Sequence, residues 1–155
     1  MRELLWKDYF DIADLYAQRI SGCLKVQVGS AIVKDGHILS LGANRCIPNS
    51  CLFNGCLRMK KYGNDSKSHR DPSDCRAIHS EVDAIANLRE SARGATIIVT
   101  RYPCEACARA IASAGIKEVW YGGSAETSEM TDSIFDSEGI NVHYIPGWKQ
   151  DDSDR

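Results

Sequence analysis

His79 and Glu81 stand two residues apart, and 25 residues after His79 a second pair, Cys104 and Cys107, stands three apart behind Pro103. One imidazole and two thiols are three good zinc ligands. Three protein ligands leave the fourth tetrahedral position open to water, as a catalytic rather than a structural zinc requires. Zinc lowers the pKa of such a water by about nine units, on the order of 12 kcal/mol in favour of its deprotonated form, so a nucleophile exists near neutral pH. Glu81, beside the metal but not a ligand, is placed to carry protons. Taken alone, Cys104-x-x-Cys107 reads as a redox pair or half of a structural zinc knuckle. The company of His79 and Glu81 turns the reading to catalysis.

Two helices must position these groups. In Cys104-Glu-Ala-Cys107-Ala-Arg-Ala-Ile-Ala-Ser-Ala-Gly115 the thiols fall on one helical face, Pro103 suits the first turn, and Gly115 ends the pattern. The helix N-terminus favours the thiolates that ligation needs. His79 to Arg89 also has helical periodicity, with Val82, Ile85, Ala86 and Leu88 near one side, which puts His79 and Glu81 in its first turn.

The remaining elements follow in order. Leu5, Tyr9, Ile12, Ala13, Leu15, Tyr16 and Ile20 predict an amphipathic helix over 4–21, closed by Gly22. Val26 to Val33 and His37 to Leu41 flank Lys34-Asp35-Gly36 and predict a hairpin. From Asn44 to Asp74 periodicity vanishes, which predicts a long functional or tethered loop. Ala95 to Thr100, Lys117 to Tyr121 and Ile140 to Ile145 read as strands and 126–138 as a weak helix. The order gives an α/β domain over 1–148, three layers α/β/α around a mixed sheet of about five strands, with 149–155 a disordered tail.

The 155 residues suffice for one core, and 43% hydrophobic with 26% charged residues is ordinary globular composition. No apolar run reaches membrane-spanning length, and the opening Met-Arg-Glu-Leu-Leu-Trp lacks a secretory pattern, so a cytoplasmic protein is expected. A net charge of −2 argues against a large nucleic-acid surface and leaves room for a small anionic substrate. Arg45, Arg58, Arg70 and Arg76 are the phosphate candidates, because arginine offers oxyanions a planar fork. His37 and His143 lie in strand-like runs and are assigned no role. Of the seven cysteines, Cys51, Cys56 and Cys75, with His69, cluster around the long loop, where they form either a structural metal site or buried free thiols.

His-x-Glu followed by Pro-Cys-x-x-Cys is the signature of zinc-dependent nucleobase deaminases. With Val28-Gly29-Ser30-Ala31-Ile32-Val33, Gly42-Ala43-Asn44, His79-Ser80-Glu81-Val82-Asp83-Ala84-Ile85, Pro103-Cys104-Glu105-Ala106-Cys107 and Ala114 to Val119, the chain resembles the cytidine deaminase superfamily over nearly its whole length. Within it, the resemblance is to the deoxycytidylate (dCMP) deaminase branch. It implies a hydrolase converting dCMP to dUMP with release of ammonia, a step that supplies thymidylate synthesis, in a homo-oligomer, dimer or hexamer. It also implies a catalytic Zn2+ on His79, Cys104 and Cys107, and Glu81 as the proton carrier to cytosine N3 and the leaving amine. Some members carry a second, structural zinc, and the resemblance places Cys23 and Cys51 among its ligands, giving Cys23, Cys51, Cys56 and Cys75 with His69 as substitute. Ser80, Asp83 and Arg45 depart from the family's usual alanine, asparagine and glycine. Asn44 matches its base- and sugar-contacting asparagine, and Arg45, Ser80 and Tyr102 join it as expected substrate contacts. The alternatives are a deaminase of another base, nucleoside, tRNA or single-stranded nucleic acid, and a zinc module without catalysis.

Overall fold

The computed structural model describes residues 4–46, 50–63, 75–123, 127–146 and 148. Helix α1 (Trp6–Ile20) precedes the hairpin of β1 (Gly29–Lys34) and β2 (His37–Ala43). Asp35 and Gly36 join them with φ of 50° and 76°, the two left-handed residues a tight hairpin turn requires. Strand β5 (Thr96–Val99), helix α5 (Glu105–Ser113), strand β6 (Glu118–Tyr121), helix α6 (Glu129–Ser137) and strand β7 (Asn141–Tyr144) follow helix α4 (Ser80–Ala86). The sheet order is β2-β1-β5-β6-β7, with β1 antiparallel to both neighbours and β5, β6 and β7 parallel. The expected mixed five-stranded sheet is therefore present.

Alternation along the central strands builds the layers. Ala31, Val33 and Ile98 face Tyr9, Phe10 and Ala13 of α1, and Trp148 closes that side against Phe10. Ile32, Ile97, Val99 and Val119 face the other way, onto Ala84 of α4, Ala108 and Ile111 of α5 and Phe135 of α6. Phe10 and Phe135 are wholly buried, each stabilising by roughly 2–3 kcal/mol. Helix α4 can sit close to the sheet because β2 offers Gly42 beneath it. A Cβ there would lie 2.1 Å from the Ser80 carbonyl oxygen and 2.4 Å from the Ala84 nitrogen.

The stretch from Asn44 to Asp74 departs from the expected loop. It holds β3 (Arg45–Cys46), α2 (Ser50–Asn54) and α3 (Leu57–Tyr62), and β3 pairs with β4 (Ala77–Ile78). Helices of five and six residues make fewer than two turns, too few for a 3.6-residue period to register. Helix α4 is also shorter than predicted, ending at Asn87, whose side-chain amide donates to the Asp83 carbonyl at 2.9 Å. Among the described residues no helix is long and apolar enough to cross a membrane. His69, Arg70 and the tail 149–155 lie outside the described residues.

Candidate active site

The ligand residues begin helices rather than lying within them. His79 and Cys104 are the N-caps of α4 and α5, both extended, at φ −72°, ψ 151° and φ −77°, ψ 170°. Each accepts the first helical hydrogen bond on its carbonyl, from Asp83 at 3.0 Å and Ala108 at 2.8 Å. Pro103, predicted within the first turn, precedes the cap and rigidifies the chain as it leaves β5. Both helix N-termini thus converge on one point, where their dipoles favour negative charge.

There the three ligating atoms meet. His79 Nδ1 lies 3.4 Å from Cys104 Sγ and 3.4 Å from Cys107 Sγ, and all three lie within 4.8 Å of one another. Tetrahedral zinc, with bonds of about 2.3 Å to sulfur and about 2.0 Å to nitrogen, sets ligand separations of roughly 3.5 Å. The residues fit the ion. Cys107 is buried and His79 exposed, so the group opens to solvent on the imidazole side.

Glu81, two residues past His79 in the first turn of α4, is 4% exposed, and burial holds its carboxyl above the usual range against the opposing pull of its own backbone N–H, His79 and Ser80. It reaches Cys107, whose thiol is raised first by its hydrogen bond with Cys104, then by burial and by Glu81. Cys104 is driven the other way, to about 3, by the hydrogen bond from Cys107 and by His79. His79 is raised by its bond with Cys104, opposed by burial and by the positive charge of Arg58. A carboxylate, an imidazole and two sulfurs of conflicting proton demand in one place form a functional cluster.

Three expected substrate contacts have hydrogen-bond partners within the chain. Asn44 is 7% exposed, and its Oδ1 accepts from the Val28 amide at 2.8 Å and the Ser21 hydroxyl at 2.7 Å while its Nδ2 donates to the Val26 carbonyl at 2.8 Å. Every polar atom of that side chain braces the entry to β1. Arg45 donates through Nε and Nη2 to Asp83 Oδ1, at 2.9 and 2.5 Å, and Asp83 Oδ2 accepts the Ala43 amide at 3.0 Å. The pair bolts the β2 corner to α4. Ser80 is wholly buried, bonded to Ser30 and Glu81. Motif position alone does not reveal which way a side chain turns. Tyr102 donates its hydroxyl to Asp132 of α6 and packs edge-on against Tyr121 at 4.8 Å, leaving only its ring for a substrate.

Among the described residues, His79, Cys104 and Cys107 are the only three or more ligating groups within 4.8 Å, so Cys23, Cys51, Cys56 and Cys75 do not form a ligand shell. Cys46, left unassigned by the sequence, stands among three of them. It is buried, its strand partner Ala77 lies two residues past Cys75, and its Cβ is 3.7 Å from where a side chain on Gly22, next to Cys23, would begin. Burial pushes its thiol up to about 12, helped by a hydrogen bond with Cys51 and by Cys23 and Cys75. Cys56 instead caps α3. Among the described residues Arg58, on α3, is the arginine whose charge acts on His79.

The comparisons with known proteins agree with this geometry. The Bacillus subtilis (strain 168) ComE operon protein 2 is 30% identical over 150 residues, 94% of this chain and 74% of its own length. The deoxycytidylate deaminase of Mycobacterium phage D29 is 36% identical over 120 residues, 75% of this chain and 93% of that protein. In structure, the dCMP deaminase of cyanophage S-TIM5 in complex with dCMP and dUMP superposes with a TM-score of 0.69 at 27% identity, covering 94% of this chain and 99% of that one. The family model for the cytidine and deoxycytidylate deaminase zinc-binding region matches residues 6–123. A five-stranded mixed sheet, two converging helix N-termini and a His-Cys-Cys set beside a buried glutamate are thus joined to a sequence match over most of the chain, and the protein belongs to the cytidine and deoxycytidylate deaminase family.

Proposed function

We propose that this chain is a zinc-dependent hydrolase that deaminates dCMP to dUMP with release of ammonia, and so supplies thymidylate synthesis. The observation that carries the reading is the meeting of His79 Nδ1 with both sulfurs at 3.4 Å beside a buried glutamate. His79, Cys104 and Cys107 would hold Zn2+, which supplies Lewis acidity that brings the pKa of a coordinated water from 15.7 down to about 7. Glu81 takes up the proton that water loses and delivers it to N3 of the pyrimidine, which makes C4 electrophilic. Once the hydroxide oxygen has bonded to C4, Glu81 takes the proton of that new hydroxyl and carries it to the amino group, so that the C4–N bond breaks, ammonia departs and the C4 carbonyl forms. Burial, by keeping water from the carboxylate, directs those protons to substrate.

Arg58 is proposed as the partner for the 5′-phosphate, because its charge is felt at His79 and a guanidinium offers an oxyanion a planar fork. A second, structural zinc remains proposed on Cys23, Cys51, Cys56 and Cys75, with His69 as substitute for one of them, and would have to draw these side chains together. Metal analysis finding one zinc per chain at full activity would remove it. We place the enzyme in the cytoplasm, a reading supported by a phosphorylated substrate and by seven cysteines outside disulfides. A homo-oligomer is favoured by the exposed Leu52, Phe53 and Met59, and light scattering tests it.

Ammonia release from dCMP, CMP, deoxycytidine, dCTP, adenine and guanine tests the central reading. dCMP should exceed every other substrate in kcat/KM. Preference for a purine base, or for a nucleoside without phosphate, would overturn it.

A further inference from the structure

Helix α4 carries a hydroxyl that no part of the reaction above uses. Ser80 is wholly buried, and its Oγ lies 3.0 Å from Glu81 Oε2, to which it donates. A hydroxyl has one proton to give. With Ser80's own committed to Glu81, the 2.6 Å contact between Ser80 Oγ and Ser30 Oγ must be donated by Ser30. Ser30 is equally buried, in β1, where it faces Gly42 on one side and Val99 on the other. A directed chain therefore runs from the central sheet to the proton carrier, Ser30 to Ser80 to Glu81.

We infer that Ser30 and Ser80 are positioning residues that lock the Glu81 carboxylate in the orientation the reaction needs. A glutamate has three side-chain torsions, and helix packing near the backbone fixes only the first of them. Held at Oε2 from the sheet, the carboxylate has Oε1 left for the proton transfers. The anchor is rigid because β1 is bonded on both edges and Ser30 sits within its ladder. Among the described residues the two hydroxyls bond each other and Glu81 and not the side chains of His79, Cys104 or Cys107, so both act through Glu81. This inference rests on the deaminase reading, and deepens it.

The zinc-loaded protein and the variants Ser80→Ala, Ser30→Ala and the double variant test it. Ser80→Ala should lower kcat about tenfold with KM for dCMP within twofold and zinc content unchanged. Ser30→Ala should lower it about threefold, because Ser80 keeps its bond to Glu81 but loses its own anchor. The double variant should be no slower than Ser80→Ala alone, since Ser30 acts only through Ser80. A merely space-filling pair gives the reverse: the double variant, freed of an orphaned buried hydroxyl, recovers both melting temperature and kcat. Binding gives a readout apart from turnover. A pyrimidine nucleotide analogue with a tetrahedral, hydroxylated C4 should bind Ser80→Ala about tenfold more weakly, and dUMP equally well. Unchanged kcat and analogue affinity in Ser80→Ala would overturn the inference. Wild-type protein inert toward dCMP would instead sink the substrate reading, and the chain would then be tested on whichever base the panel identifies.

Discussion

The converging N-termini of α4 and α5 and the segment from Arg45 to Gly63 both carry cysteines and both lie near the metal ligands, yet they are built differently. The first pair rests directly on the central sheet. Gly42 brings α4 into backbone contact with β2, Asp83 accepts from Ala43 and Arg45, and Ala84 and Ala108 are wholly buried. The second region has a two-residue ladder with β4, helices of five and six residues, and exposed Leu52, Phe53 and Met59. Chemistry that depends on sub-ångström placement sits on the first, as fixed geometry demands. Beyond Arg45 and Cys46, which tie it to α4 and β4, the second presents exposed side chains suited to substrate choice and assembly.

Glu81→Gln breaks that comparison hardest if it is wrong. The amide preserves shape and cannot shuttle protons, so kcat should fall at least ~1000-fold with zinc and fold retained. Ammonia release from the variant at more than a hundredth of the wild-type rate would deny Glu81 its role. Asp83→Ala comes next, and reads stability. It strands the Ala43 amide and the Arg45 guanidinium, one partner of the pair being 1% exposed and the other 39%, so a loss of about 3 kcal/mol is expected, roughly 6–12 °C in melting temperature. Asp83→Asn keeps an acceptor and should cost about 1 kcal/mol. Equal melting temperatures for Asp83→Ala and wild type would mean the bolt between α4 and the hairpin does not bear on stability.

How much of this was legible beforehand follows the same division. The five strands and the ligand triad could be read because each rests on a short β-rich run, a turn signal or a fixed spacing: Ala31-Ile-Val33 in β1, a tight turn at Asp35-Gly36, two residues from His79 to Glu81, three between the thiols. The orientation of Asn44, Arg45 and Ser80 could not. Each sits at a motif position facing either way, and what decides is a partner far along the chain, Val26 and Val28 for Asn44, Asp83 for Arg45, Ser30 for Ser80. The one available signal for Ser30 was a serine at an inward position of an otherwise apolar strand, which must find a partner when buried. Cys46 went unassigned because the β3 and β4 pairing that sets it beside Cys75 is two residues long.

Arg58 sharpens the comparison on the side of substrate choice. Arg58→Ala should raise KM for dCMP about tenfold while leaving kcat within twofold, and should leave deoxycytidine turnover unaltered because that substrate has no phosphate to lose. Equal effects on both substrates would show that Arg58 acts on the ligand set through His79 and not on phosphate.

The smallest effects separate the cysteines of the outer segment from one another. Cys46 is 3% exposed, with neighbours on β4, at Gly22 and at Cys51, so Cys46→Ala removes a packed sulfur and should cost about 1–2 kcal/mol. Cys56 stands partly exposed at the start of α3 without a side-chain capping bond, so Cys56→Ala should change stability by under about 0.5 kcal/mol. Chemical denaturation of both variants, with bound zinc counted at each step, reads the difference. If Cys56→Ala proves the more damaging and sheds one zinc equivalent while activity survives, the original four-sulfur assignment is right and Cys46 is only a core residue. If Cys46→Ala sheds it, the metal belongs with β3, and the outer segment is tied to the sheet by a bond stronger than its packing.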